Sequence, residues 1–296
     1  MEFSIEPPRL KAAFDVVEAL SRLSAFLHLH LSPHSLSIYT INTTLSSYAR
    51  VTLSSSFFTN MTVVDPSLYS HSFKVSSSTL LYLLKCKKLS SDLQLIFSTN
   101  HIVSVFKQQQ FTEKIYKFPF EQVDFIDAGH PDWMEYPFMV SILSRNLWQS
   151  ILPHTLLTTR LNELAFNFAT EGLQLCSRDE TSYSSITYAY CKDFYEYSVK
   201  RKYSFTLIKS EVVGLIMGAE RSESLIKIYF GLEGSPILLS ISGCGEGISM
   251  TCIMSAMVED VQAPQPVEDM IIESESDERV VYDDDFTIPG TPEYVY

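Results

Sequence analysis

The feature that most constrains this chain is one pattern written four times at a spacing of roughly 60 residues: a short strand, a helix of about three turns, then several strands in succession. The first copy opens at Glu2-Phe3-Ser4-Ile5 and predicts a helix over 9–20 and strands over 26–31, 36–41 and 48–53. The second opens at Ser72-Phe73-Lys74-Val75. Ser76-Ser77-Ser78 offers hydroxyls to the unpaired amides of a helix start, the helix runs over 79–85, and alternating strands follow at Leu93, Leu95 and Phe97, then over 102–106 and 113–118. The third opens at Pro137-Phe138-Met139-Val140, with a helix over 145–152 and strands over 164–168, 173–176 and 183–190. The fourth opens at Tyr203, with a helix over 209–220 and strands over 226–230, 237–241 and 248–255.

Helical period followed by several strands excludes a doubly wound parallel sheet, in which single strands and helices alternate. It predicts an α+β chain with antiparallel sheets. Two units make one domain, so residues 1–118 form a first domain and 137–258 a second. Between them, over 119–136, the repeat breaks into Pro119-Phe120-Glu121-Gln122-Val123-Asp124-Phe125 and onward to Pro131, a connector. Beyond Val258 the pattern stops, and Pro264, Pro266 and an acidic run give 259–296 the composition of a disordered tail.

The net charge of −13 is concentrated in that tail, which holds twelve acidic residues and one basic residue, Arg279. The body is close to neutral at −2, so the overall figure does not forbid contact with a polyanion. No apolar run approaches the ~18 residues of a membrane span, and the N-terminus lacks a basic segment leading into an apolar one, so neither a membrane nor a secretory role is expected. Five cysteines with no C-x-x-C pair argue against a disulfide framework or a zinc site. The sequons at Asn42 and Asn60 read as chance matches.

Catalysis is not expected, and no cofactor with it. Two-metal chemistry needs several converging carboxylates, and Val51–Ser91 contains only Asp65. The seven histidines form no H-E-x-x-H; His28 and His30 share a strand face by period two without a third ligand. No G-x-S-x-G or phosphate-binding glycine loop occurs, and Gly243-Cys244-Gly245-Glu246-Gly247 reads as a hairpin turn.

Four segments carry a family resemblance. Ala19-Leu20-Ser21-Arg22-Leu23 closes the first helix, Leu36 to Asn42-Thr43-Thr44 forms a strand and its end, and Ser47-Tyr48-Ala49 opens the strand leading to Phe57-Phe58. With Gly234-Ser235-Pro236-Ile237-Leu238-Leu239, these resemble the Rad-nine subunit family of the checkpoint sliding clamp, the heterotrimeric nine-one-one ring of the sliding-clamp superfamily. The resemblance implies two domains, each of two β-α-β-β-β units, with antiparallel sheets outside and helices lining a ring. It implies a nuclear DNA-damage checkpoint subunit that encircles duplex DNA without reading its sequence and supports repair. The implied partners are two paralogous clamp subunits, an ATPase clamp loader and a BRCT-repeat scaffold that activates checkpoint kinase signalling. The homotrimeric replication clamp shares the fold and is the alternative; it differs by self-assembly.

On that reading the helices need some positive charge opposite phosphate, though little, because a topological link replaces affinity. Lys11 and Arg22 flank the first helix, Lys85, Lys87 and Lys88 end the second, Arg145 opens the third, and Lys209 and Arg221 bracket the fourth. A ring closes by head-to-tail contact between edges. The strand ending at Tyr190, with Tyr183, Ile186 and Tyr188, is aromatic and β-branched, an edge that must be covered. The resemblance supplies its counterpart over 111–117, with Phe111, Ile115 and Lys117. In the tail, Ser274 and Ser276 lie in acidic surroundings suited to an acidophilic kinase, and Thr291 sits in a Pro-Gly-Thr-Pro segment similar to one in the family's tails. Phosphate there adds charge that an Arg/Lys pocket reads. The tail has no Ser-Gln or Thr-Gln pair, so direct phosphorylation by a damage-sensing kinase is not expected, and Leu45 stands where family members often carry a basic residue.

Overall fold

In the computed structural model the described residues are 2–62, 71–85, 92–98, 101–107, 113–129, 132–155, 162–179, 182–220, 224–232 and 234–258. Lys87, Lys88, Phe111, Arg221, Ser274, Ser276 and Thr291 lie outside them. The first repeat is β1 (Glu2–Ile5), α1 (Pro7–Ser21), β2 (Phe26–Ser32), β3 (Ser35–Ile41), β4 (Ser47–Ser54) and β5 (Asn60–Thr62). The second is β6 (His71–Ser76), α2 (Ser77–Lys85), β7 (Asp92–Phe97), β8 (His101–Lys107), β9 (Glu113–Pro119) and β10 (Glu121–Asp124). The third is β11 (Phe138–Leu143), α3 (Ser144–Thr155), β12 (Glu163–Ala169), β13 (Gly172–Asp179), β14 (Ser182–Tyr190) and β15 (Phe194–Tyr197). The fourth is β16 (Tyr203–Ile208), α4 (Lys209–Glu220), β17 (Leu225–Phe230), β18 (Ile237–Ser242), β19 (Ile248–Met254) and β20 (Met257–Val258).

Each repeat therefore ends on a short strand that periodicity did not reveal. The short strand returns to pair with the opening strand of its own repeat: β5 on β1, β10 on β6, β15 on β11 and β20 on β16. Segments of two to four residues carry too little alternation to stand out by themselves, so the sequence reading does not include them. For the same reason the start of the expected connector, Glu121–Asp124, is a strand hydrogen-bonded to β6, with Glu121 opposite Lys74 and Asp124 opposite His71.

Opening strands are exchanged between the repeats of each half. β1 joins β7, β8 and β9 in a five-stranded sheet ordered β5-β1-β7-β8-β9, while β6 joins β2, β3 and β4. In the second half β16 joins β12, β13 and β14, in the order β14-β13-β12-β16-β20, and β11 joins β17, β18 and β19. A helix thus crosses from one sheet to the other, and every strand pair among the described residues is antiparallel. The two halves meet where β4 pairs with β19, from Ser47 opposite Met254 to Leu53 opposite Ile248, which makes one ten-stranded sheet, β10-β6-β2-β3-β4-β19-β18-β17-β11-β15.

Helix α1 forms where Pro7 and Pro8 set the backbone of its first turn without sacrificing a needed amide. Leu10, Phe14, Val17 and Leu20 recur at helical spacing and are all buried. Each half has an aromatic centre. Phe3 packs on Phe58 (ring centroids 4.7 Å apart) and on Phe97 (5.6 Å) in the first, and Phe168 stacks on Phe230 (4.3 Å) beside Phe205 in the second. A fully buried phenylalanine contributes about 1.5–3 kcal/mol, so these centres anchor their sheets. The β18–β19 turn uses its glycines as the sequence suggests: Gly243, Gly245 and Gly247 have φ of +87°, +143° and +75°, and a Cβ on Gly247 would lie 2.7 Å from the Phe57 nitrogen.

Candidate subunit and nucleic-acid interfaces

The four helices pack in a row, α2 beside α1, α1 beside α4, and α4 beside α3. The α1–α4 contact is close because α4 turns bare glycines toward α1. A Cβ on Gly218 would lie 2.5 Å from the Ala19 Cβ, and one on Gly214 would lie 2.9 Å from both Cβ and Cδ of Arg22. Arg22 therefore lays its aliphatic stem along α4 while the residue stays exposed. Lys11 on α1 and Arg145 on α3 are exposed as well, and Lys85 ends α2. Lys209 departs from the expectation. It is buried at the first position of α4, where desolvation lowers its pKa, so it is not placed to meet a phosphate.

The start of α4 instead carries a polar crosslink between the halves that sequence reading missed. Glu211 is buried; its Oε1 accepts from Asn42 Nδ2 at 2.6 Å and its Oε2 from the Ser47 hydroxyl at 2.5 Å. Asn42 Nδ2 also lies within hydrogen-bonding distance of the Thr44 and Ser46 hydroxyls, so its two protons are shared among three acceptors, and its Oδ1 accepts from the amides of Ser46 and Ser47. Five polar contacts thus saturate the amide that the sequence offers as a sequon, and they fold the β3–β4 turn around it. The Asn-Thr-Thr ending of β3 was legible as a motif, but its partner 169 residues away was not.

The two expected interface strands sit at free sheet edges. β9 ends one five-stranded sheet and β14 ends the other, each bonded on one side alone among the described residues. Ile115 on β9 is 63% exposed, and Ile186, Tyr188 and Tyr190 on β14 are also exposed, Tyr188 at 58%. Lys114 and Lys117 lie exposed on either side of Ile115.

β14 is fastened from behind by α3. His154, in the last turn, is fully buried between two hydroxyls, with Nδ1 2.9 Å from Ser177 Oγ and Nε2 2.9 Å from Thr187 Oγ1. Thr187 gives its proton to the Ser150 carbonyl at 2.7 Å. Its oxygen must therefore accept from Nε2–H, which assigns the tautomer and leaves Nδ1 to accept from Ser177. Burial, aided by the positive charge of Lys209, lowers the His154 pKa.

Phe125, in the segment after β10, is turned onto the protein. It stacks on His30 at 3.8 Å, meets Tyr39 edge-on at 5.6 Å and lies under the Arg50 guanidinium, 5.8 Å from its centroid. The Tyr39 hydroxyl accepts from the Ile126 amide at 3.3 Å and donates to Ser72. His28 stacks on Tyr39, so both strand histidines serve aromatic contacts. Beyond this pinned segment lies a groove of about 450 Å³ lined by Ile41, Leu45, Tyr48, Ala128, Pro236 and Ile253, among others. Leu45 stands at its rim, 80% exposed and in the left-handed region at φ +58°. Burial pushes the pKa of the Tyr48 hydroxyl up to about 12.

Comparison with known proteins fits this geometry. The family model described as Rad9 matches residues 15–257. Among solved structures, the PCNA of Thermococcus kodakaraensis superposes with a TM-score of 0.71 at 12% identity, covering 86% of this chain and 99% of its own. The proliferating cellular nuclear antigen of Entamoeba histolytica gives 0.70 at 10% identity, covering 86% and 98%. The PCNA2–PCNA3 complex of Sulfolobus tokodaii gives 0.69 at 15% identity, covering 88% and 100%. A comparison with curated proteins finds no match. At these identities the structural neighbours establish the sliding-clamp fold.

Proposed function

This chain belongs to the Rad9 family, and we propose that it works as one subunit of a heterotrimeric DNA-damage checkpoint sliding clamp. The observation that carries the proposal is the pairing pattern of the fourfold repeat. The last long strand of each repeat is β4, β9, β14 or β19. β4 and β19 join each other within the chain, while β9 and β14 occupy equivalent places in their repeats and, among the described residues, are paired on one side alone. A β9–β14 joint between neighbouring subunits repeats the internal one, and head-to-tail repetition of one such joint makes a ring. In that ring residues 1–118 and 137–258 act as the two clamp domains, with 119–136 spanning them.

The helix row then faces duplex DNA. Lys11, Arg22, Lys85 and Arg145, with Lys87, Lys88 and Arg221, neutralise phosphates without reading bases, and the contribution falls with salt. The role is topological rather than catalytic. An ATPase loader opens and closes the ring, and the chain acts in the nucleus. The tail carries the signal: phosphate on Ser274, Ser276 or Thr291 creates a docking point for a BRCT-repeat scaffold that activates the checkpoint kinase.

Light scattering tests the assembly, with the full chain alone and then mixed with the two paralogous clamp subunits. A monomer that converts to a one-to-one-to-one trimer is the expected result. A stable homotrimer of this chain alone overturns the checkpoint reading in favour of a replication-type clamp.

A further inference from the structure

We propose that β9 docks on an edge of a different chain that presents carboxylates to Lys114 and Lys117, and not on β14 of a second copy. The inference rests on the clamp reading and specifies the chemistry of one of its two joints.

The internal β4–β19 joint provides the reference. The two strands contain a single charged residue, Arg50, whose guanidinium lies over Phe125. β14 repeats that chemistry: from Ser182 to Tyr190 it has no charged residue, and α3 behind it has no carboxylate. The Asp193 carboxylate, in the turn after β14, accepts from the Tyr190 amide at 2.8 Å. β9 is different. Its sequence, Glu113-Lys114-Ile115-Tyr116-Lys117-Phe118-Pro119, is charged and net basic, and α2, which meets it through Tyr82 and Tyr116, contains no acid. Lys114 and Lys117 are exposed, and among the described residues neither has an ion-pair partner. Exposed Tyr82 of α2, edge-on to Tyr116 at 6.2 Å, supplies an aromatic anchor next to them.

Pairing β9 with β14 of a second copy covers two ammonium groups with a strand of serine, isoleucine and tyrosine, while α3 contributes Arg145. Both ammoniums then lose hydration with no carboxylate on β14 or α3 opposite them, the nearby Asp193 being held at the turn by the Tyr190 amide. A facing edge with carboxylates returns that energy, accelerates encounter and disfavours the homotypic ring by the same charges. The one edge accordingly selects its neighbour by charge, and the other by shape and apolar contact.

The test measures pairwise binding of the full-length chain to each of the two paralogous clamp subunits, at low and at physiological salt. Charge reversal, Lys114→Glu with Lys117→Glu, is expected to weaken one pairwise complex by about tenfold or more and leave the other within about twofold. The charge-keeping pair Lys114→Arg with Lys117→Arg should retain both complexes. If the wild-type chain assembles and the reversal leaves both complexes unchanged, this inference fails and the clamp reading stands. If the wild-type chain binds neither subunit, the clamp reading fails and carries the inference with it.

Discussion

At the seam, β4 and β19 pair from Ser47 to Leu53, Gly218 brings α4 onto α1, and Glu211 is tied to Asn42 and Ser47 across the halves. At the outer edges the same kind of strand is offered to solvent, with Ile115 on β9 and Ile186 and Tyr188 on β14. The repeat makes these strands equivalent; the side chains make them different. A seam that must never open is sealed by glycine contact and a buried polar crosslink, both intolerant of separation. Edges that, on the proposed clamp reading, find a partner after folding keep apolar and charged groups exposed, at the risk of misassociation that any long free edge carries.

The sharpest way to break this comparison is to put the same charge at both places. Met250 on β19 is buried, 2% exposed, and Met250→Asp places a carboxylate in the seam without a partner. A loss of about 4 kcal/mol or more is expected, read as a collapse of the urea midpoint. Ile186→Asp on β14 should change the stability of the isolated chain by no more than about 0.5 kcal/mol while abolishing assembly with the subunit that docks there. Equal destabilisation by the two substitutions would show that β14 is not an edge in solution.

A smaller effect separates helix contact from strand contact at the seam. A Cβ on Gly218 meets the Ala19 Cβ and, at 3.2 Å, the Asp15 carbonyl, neither of which swings aside as the end of a flexible side chain does. Gly218→Val is expected to cost roughly 2–3 kcal/mol through overpacking, measured by thermal unfolding. If it is neutral, the halves are held by β4–β19 alone and the helix row is not a rigid platform.

How much of this was legible in the sequence follows from range. The four repeats, with their helices and longer strands, were visible because each is a local period, 3.6 or 2, whereas the place of β9 at an edge came from the family resemblance. The exchange of β1 and β6 between repeats was not, since hydrophobic pattern says which face is buried but not which strand lies alongside. The β5, β10, β15 and β20 returns were too short to show a period. Lys209 read as a surface base because it opens a helix, where exposure is common, yet the helix start is packed under the neighbouring structure. Glu211–Asn42 and His154–Thr187 escaped because hydroxyl and amide partners leave no trace in composition.

The last contrast lies within the edge itself, exposed outward but fastened inward by His154. In the folded chain this imidazole is neutral, and its pKa is lowered below 6.5 by burial first and Lys209 second. As pH falls through 6.5 the unfolded chain takes up the proton while the folded chain does not, so stability declines from there down to the folded pKa and no further below it. A proton on Nδ1 also turns an acceptor for Ser177 into a donor, which opposes the network that seats Thr187. His154→Gln is therefore expected to cost about 1 kcal/mol near neutral pH and to show a shallower loss of stability than the wild type between about pH 7 and about pH 5. Denaturant midpoints at the two pH values give the comparison. Parallel losses in the two proteins would mean that acid sensitivity arises elsewhere, for instance at His28, whose pKa is also lowered by burial. A shallower loss in the variant, together with slower amide exchange in wild-type β14 at neutral pH, would place the device at the edge, where the fold must be firm on one side to stay open on the other.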